Sequence, residues 1–401
     1  MFFRNRSFFY AFVPTIIIFL IIFWPDYDKE KIVKASDTAK LFFKKFLERF
    51  SVNEKHLTVL LVVVTEMADE DIQRAMNFLE WLCPSRDQCS LQTPFYQMIS
   101  QYRVSKRHRL TACTIYKNMS TLLTAIMCYL HNPFLIKTAG NFRNQWNDNR
   151  SCIGKNEFFK HRQVEKFLQI PFDESKNFAL VREPMERFLS GLVNQCTNLK
   201  RCGDCVNADC LLGMLEKNGR ETVRRDDFKM GNGGYSIDEH VNLHFLPQLW
   251  QCEFSSQLSN YKILKYSSAD TEGIARQLEE LFGKAGVNGQ EIDFIKEQLQ
   301  GGRSLHSTVG DEKRKAIEEE LKESPVLMKR FMGLFFFDYL LLVSLLPPIV
   351  RIDRSDIIQF LNLIQKNRKQ TAIRPSTVKL WRSTSSMIFQ LEQLKKAGYM
   401  K

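Results

Sequence analysis

The stretch Leu110-Thr-Ala-Cys-Thr-Ile-Tyr-Lys-Asn-Met-Ser-Thr121 runs straight into Leu122-Leu-Thr-Ala-Ile-Met-Cys-Tyr-Leu130, and its character changes twice. Residues 110–116 are largely apolar or β-branched, the composition of a strand covered on both faces. Lys117-Asn118-Met119-Ser120-Thr121 is a polar turn, and the nine residues after it are mostly apolar and helix-compatible. Strand, tight turn and helix in that order present backbone N–H groups and a positive helix end to an anion. An anion seated there would also meet the Ser120 and Thr121 hydroxyls and the Lys117 ammonium. The turn is not a Walker loop, because no glycine lies between Leu110 and Leu130. The plain alternative is an ordinary strand–helix unit with a surface lysine.

A second segment of the same build is Phe178-Ala-Leu-Val-Arg-Glu-Pro-Met-Glu-Arg-Phe-Leu-Ser-Gly-Leu192. Residues 177–181 read as a short strand, and Pro184 suits the first turn of a helix. Met185, Phe188, Leu189 and Leu192 would form the inward stripe of that helix. Arg182, at the strand end, has the planar fork that grips a phosphate, and Ser190 two turns along could reach the same group. Arg187 either joins them or pairs with Glu183 on the surface. Two such corners point to a ligand phosphorylated at two places.

Taken together, the two segments resemble the nucleotide-binding signatures of Golgi carbohydrate sulfotransferases of the chondroitin type. Ala112-Cys-Thr114-x-x-Lys117 matches the family's first motif, and Arg182-x-Pro184-x-x-Arg187-x-x-Ser190 matches its second. His244-Phe-Leu-Pro247 followed by Cys252, then Lys265-Tyr266-Ser267, then Phe337-Asp338-Tyr339, resemble further family elements in the family's order. Phe245 stands where better-known members carry Trp, and Asn118 where many carry a basic residue. The resemblance implies an α/β, P-loop-like sulfotransferase fold with a central, mainly parallel sheet flanked by helices, preceded by one membrane anchor helix. It implies 3′-phosphoadenosine 5′-phosphosulfate (PAPS) as sulfate donor, a glycan or glycosaminoglycan acceptor, and no metal. The donor's 5′ end would be held by Thr114, Lys117, Asn118, Ser120 and Thr121. Its 3′-phosphate would be held by Arg182, Ser190 and, unless it pairs with Glu183, Arg187. Lys117 is the candidate for stabilising the bridging oxygen. His244 is the candidate base, with His240 on the same face if the segment is helical. His306-Ser-Thr308 would either cap the nucleotide or serve as a helix N-cap.

Residues 8–24 form an uncharged apolar run, preceded by Arg4 and Arg6 and followed by Asp26 and Asp28. That pattern predicts an uncleaved anchor with a cytosolic tail at 1–7 and the body of the chain in the Golgi lumen. Phe23-Trp24-Pro25 lacks the small residues a signal-peptide cleavage site needs. Residues 25–95 then read as a stem with helices at Ala39–Phe50 and Asp69–Leu82, and 57–64 as a strand. Residues 96–347 would be the catalytic domain and 348–401 a basic extension. The apolar stretch Phe331–Leu346 reads as core, since Asp338 would be costly inside a bilayer. Lys217–Gly234 reads as a surface loop.

Ten cysteines fit an oxidising compartment. Cys202-x-x-Cys205 could hold zinc, but the window lacks histidine, so disulfides are expected, with Cys113 and Cys128 as buried thiols. Asn149-Arg-Ser151 is a glycosylation sequon, whereas Asn118-Met-Ser120 is expected unmodified because it lies in the turn. The net charge is +12, and from Arg351 to Lys401 there are 11 basic and 3 acidic residues, so this tail supplies +8. Lys366-Asn-Arg-Lys369 within it reads as a solvated basic face rather than a nuclear signal, and the tail would grip acidic glycan, pack as helices on the domain, or have no chemical role, with no nucleic-acid partner expected. Two other functions remain consistent with the motifs: an inactive glycan-binding relative, or a lumenal nucleotide kinase. The kinase would need a glycine-rich lysine loop and a metal-binding carboxylate, and neither is evident in the sequence.

Overall fold

Residues 102–113 double back on themselves. In the computed structural model, β1 (Tyr102–Ser105) turns at Lys106–Arg109 and pairs antiparallel with β2 (Leu110–Cys113). Residues 37–49, 64, 67–85, 89, 91–139, 142–145, 150–225, 237–302, 308 and 310–343 are described by the structure. Among the described residues, helices α1 (Asp37–Arg49) and α2 (Asp69–Leu82) precede β1. After β2 come α3 (Ser120–His131), β3 (Glu157–Phe158), β4 (Lys176–Arg182) and α4 (Pro184–Gly191). A π-helical turn, Leu192–Asn198, extends α4. Then follow α5 (Ala208–Arg225), α6 (Ile237–Phe245), β5 (Tyr261–Tyr266), α7 (Thr271–Lys284), α8 (Gly289–Gln300), α9 (Glu312–Glu323) and α10 (Pro325–Asp338).

The sheet order is β3-β1-β2-β4-β5. Pairs β2–β4 and β4–β5 are parallel, whereas β3–β1 and β1–β2 are antiparallel. The sheet is therefore mixed, which corrects the expectation of a mainly parallel one. The hairpin residues are too short and too polar at Lys106–Arg109 to announce a pair of strands. The parallel half is what matters for function. Register Cys113↔Ala179 brings the carboxyl ends of β2 and β4 to the same edge, where α/β sheets place ligands.

Side chains alternate across the strands as the pleat requires. Phe178, Leu180, Leu110, Ala112 and Leu264 face a core built with Leu123, Ile126 and Leu130 of α3, Leu278 and Phe282 of α7, and Ile295 of α8. Across the sheet, the turn Tyr339–Val343 after α10 lies against β4. Phe188 of α4 meets Phe331 and Phe335 at centroid distances of 5.5 and 6.2 Å. Residues 331–343 are thus core, with Asp338 fully buried, as the cost of a membrane carboxylate predicts. The helices of the expected stem pack here too: Phe46 lies against Phe337 and Phe78 against Phe336.

Further expectations meet the structure. Residues 217–225 are the second half of α5 rather than loop, because Leu211, Leu212 and Leu215 give that helix a buried stripe and Asn218 donates to buried Asn242. Val64 is helical, not extended, and residues 57–63 lie outside the described residues. So do the apolar run 8–24, Asn149, residues 226–234 of the expected loop, His306 and the basic extension 348–401. Among the described residues no helix is long and apolar enough to cross a membrane.

All ten cysteines are paired: 83–89, 113–252, 128–152, 196–202 and 205–210. Cys113 and Cys128 are therefore not thiols, a correction that depends on topology. Cys252 is 139 residues from Cys113, and only the fold reveals that the two meet. The Cys113–Cys252 bridge closes the longest of these loops. Replacing both residues by serine is expected to cost about 2–5 kcal/mol in denaturant unfolding. A loss under 1 kcal/mol would mean the long loop is already held by packing.

Candidate functional site

The turn after β2 is shaped without glycine. Lys117 and Met119 both adopt left-handed backbone, with φ of 68° and 59°. A residue with a Cβ is disfavoured there by roughly 1–2 kcal/mol, so something must hold the turn. It is held from several sides. Thr114 donates through both its N–H and its hydroxyl to the Gln101 carbonyl. The Asn118 side chain donates to the Leu180 carbonyl at 2.8 Å, and Arg187 Nε donates to the Tyr116 carbonyl at 3.1 Å. Arg182 donates to the Lys117 carbonyl at 3.0 Å. Helix α3 then starts at Ser120 with no side chain capping its first turn. Its N–H groups, Ser120 and Thr121 open onto a cleft, a ready anion site.

The second corner begins at Arg182, buried at the end of β4 beneath Tyr266, whose ring centroid is 5.3 Å away. Its three nitrogens donate to Glu186, to the Lys117 carbonyl and to the Ser268 hydroxyl, which leaves two of the five guanidinium N–H donors. Pro184 opens α4 and the Glu183 carboxylate accepts from the Glu186 N–H, so the helix start is self-capped. Ser190, two turns on, lines the same cleft. Gly191 is required next to it, since a Cβ there would sit 2.4 Å from the Phe245 ring.

The π-helical turn Leu192–Asn198 swings Asn194 and Gln195 into the cleft. Lys117 Nζ donates to Asn194 Oδ1 at 2.8 Å. Gln195 donates to the same oxygen and faces His240 Nε2 at 2.9 Å. On α6 the rings of His240 and His244 lie 4.2 Å apart, tilted by 34°, and the Tyr116 ring lies 4.4 Å from His244. His244 Nδ1 donates to the His240 carbonyl at 2.7 Å, which leaves Nε2 as the basic nitrogen.

Electrostatics follow from this crowding of cations. Burial, then Arg182 and Arg187, pull the Lys117 ammonium down to about 7. Burial, then Arg201 and Lys117, take His240 down to about 4. Burial, then His240, hold His244 well below the usual imidazole range, so both rings are neutral at physiological pH. Burial lowers Arg187 to about 10, opposed by Asp338. The Asp338 carboxyl is in turn raised by burial to about 6, offset by the Gln248 and Leu249 N–H groups.

Of the residues singled out in the sequence, Thr114, Lys117, Ser120, Thr121, Arg182, Ser190, His240 and His244 share one cleft. Asn118 and Arg187 stand behind its wall. Arg187 is buried and donates to the Tyr116, Phe245 and Leu246 carbonyls, so it ties the first turn to the end of α6, and it neither pairs with Glu183 nor reaches the cleft. Sequence reading did not find Asn194, Gln195 or Gln248. The one available signal was the polar pair 194–195 inside an apolar run. Among the described residues no cluster of His, Cys, Asp and Glu could hold a metal.

The pattern that defines the sulfotransferase family matches residues 100–343, which holds both corners, the cleft and α10. The chain belongs to the sulfotransferase family. Curated relatives of this sulfotransferase occur in Caenorhabditis elegans. It is similar to uncharacterized protein C18B2.2, 26% identical over 66% of this chain and 74% of that one. It is also similar to vep-2, at 29% over 57% and 71%, and to carbohydrate sulfotransferase chst-1, at 24% over 63% and 78%. No solved structure matches the sulfotransferase significantly.

Proposed function

We propose that this sulfotransferase moves a sulfuryl group from PAPS to a hydroxyl of a glycan, with a chondroitin-like glycosaminoglycan as the acceptor. The carrying observation is a single cleft with Lys117 at one strand end and Arg182 with Ser190 at the next. A donor charged at both ends suits two cationic corners that open onto one cleft. The left-handed turn and uncapped start of α3 suit the 5′-phosphosulfate, and the spare donors of Arg182 with Ser190 suit the 3′-phosphate. The likeness to a worm carbohydrate sulfotransferase supports a glycan acceptor. Arg201 lines the same cleft and is exposed, so it would attract an anionic chain, whereas Arg103 and Arg150 there are paired with Glu157.

In the transfer, the acceptor oxygen bonds to sulfur as the bond from sulfur to the phosphate oxygen breaks. The hydroxyl proton passes to His244 Nε2, whose neutral tautomer is set by the His240 carbonyl. The Lys117 ammonium stabilises charge on the departing oxygen. Five disulfides and the apolar run at 8–24 support a Golgi location with a membrane anchor and a lumenal catalytic domain.

The test is incubation of the full-length protein with radiolabelled PAPS and a panel of desulfated glycosaminoglycans, alongside titration with adenosine 3′,5′-bisphosphate. Labelled chondroitin and saturable bisphosphate binding are expected. Failure to bind the bisphosphate overturns the donor assignment. Label on a neutral glycan alone overturns the acceptor.

A further inference from the structure

We infer that Gln248 is a positioning residue that sets the spacing between the two phosphate-gripping corners, so that both ends of the donor bind as one event. The inference rests on the donor reading above. Gln248 is completely buried on the short turn after Pro247, and it does not line the cleft. Its Oε1 accepts from the Arg182 N–H at 3.0 Å while its Nε2 donates to the Arg182 carbonyl at 2.8 Å. The side-chain amide therefore pairs with both backbone groups of the last residue of β4, as a neighbouring strand would. Those two partners also fix its orientation, because a flipped amide would set N–H against N–H and C=O against C=O.

The same Oε1 accepts from Asn118 Nδ2 at 2.6 Å, inside the Lys117 turn. On the opposite side, the Gln248 and Leu249 N–H groups donate to the two oxygens of Asp338 at 2.7 and 3.0 Å. One buried network thus runs from α10 through Gln248 to the first turn and to the second strand end. Buried hydrogen-bond networks of this kind hold their members rigidly. For a ligand gripped at two points, the second contact gains from a high effective concentration only while the two sites keep the matching separation.

The experiment compares full-length wild type with Gln248→Met, which keeps the length and loses the hydrogen bonds. Adenosine 3′,5′-bisphosphate, adenosine 3′-monophosphate and adenosine 5′-monophosphate are titrated calorimetrically. The variant is expected to bind the bisphosphate at least about tenfold more weakly while each monophosphate changes less than about threefold. Equal weakening of all three would show a merely structural role and overturn the inference, as would an unchanged bisphosphate. Should Gln248→Met not fold, Gln248→Glu carries the same comparison, since it keeps the acceptor for Arg182 and Asn118 and loses the donor. Wild type that binds no bisphosphate defeats the donor reading instead, a distinct result.

Discussion

Lys117→Met is expected to lower sulfuryl transfer by at least about 10³-fold while adenosine 3′,5′-bisphosphate still binds. The lysine sits in the strained turn with its ammonium on Asn194, so its replacement by an unbranched apolar chain leaves the fold of the turn to Asn118, Arg182 and Arg187. The pH profile provides the sharper reading. Burial and two arginines hold this ammonium near pH 7, and in the proposed transfer the protonated form is the one that stabilises the leaving oxygen. For wild type, kcat/KM, which reports the free enzyme, should therefore fall as pH rises through about 7. The bound donor is anionic and favours the ammonium, so the matching limb in kcat should lie at higher pH. Lys117→Met should lose the limb in kcat/KM. Retention of that limb in the variant would assign the titration to another group.

Arg182→Ala is expected to weaken bisphosphate binding by about 100-fold, as loss of charged hydrogen bonds worth roughly 1.5–3 kcal/mol implies. Arg182→Lys should recover little. One ammonium cannot reach the Lys117 carbonyl, Ser268 and a phosphate at once, as the planar fork does. Calorimetric titration of both variants checks this, with melting curves to confirm folding. Binding within threefold of wild type in Arg182→Ala would remove the second corner from the site.

Both corners were legible because each is local: a short apolar run, a polar break and an amphipathic or apolar helix, all within about twenty residues. What could not be read depends on contacts between distant segments. Arg187 carries a motif position, yet its partners are main-chain carbonyls on the first turn and on α6, and carbonyls leave no trace in a sequence. Asn118 looked like a ligand contact because it lies in the turn, but its amide faces inward to Leu180 and Gln248. The antiparallel half of the sheet was missed because β1 is four residues long and contains Arg103. That arginine is buried against Glu157 of β3, and no single-strand pattern encodes such a pairing. The π-helical turn has no sequence signature of its own, and the polar pair 194–195 was the one hint that Asn194 and Gln195 face a site.

The bond between Cys113 and Cys252 fastens the strand that leads into the Lys117 turn to the segment just after Gln248. Both cysteines are fully buried, so dithiothreitol or β-mercaptoethanol would reach the bond only in a chain that opens, and would matter most during refolding. Bacterial cytosol is likewise a poor source of the protein, and specific activities measured after such expression would describe a slackened version of the molecule.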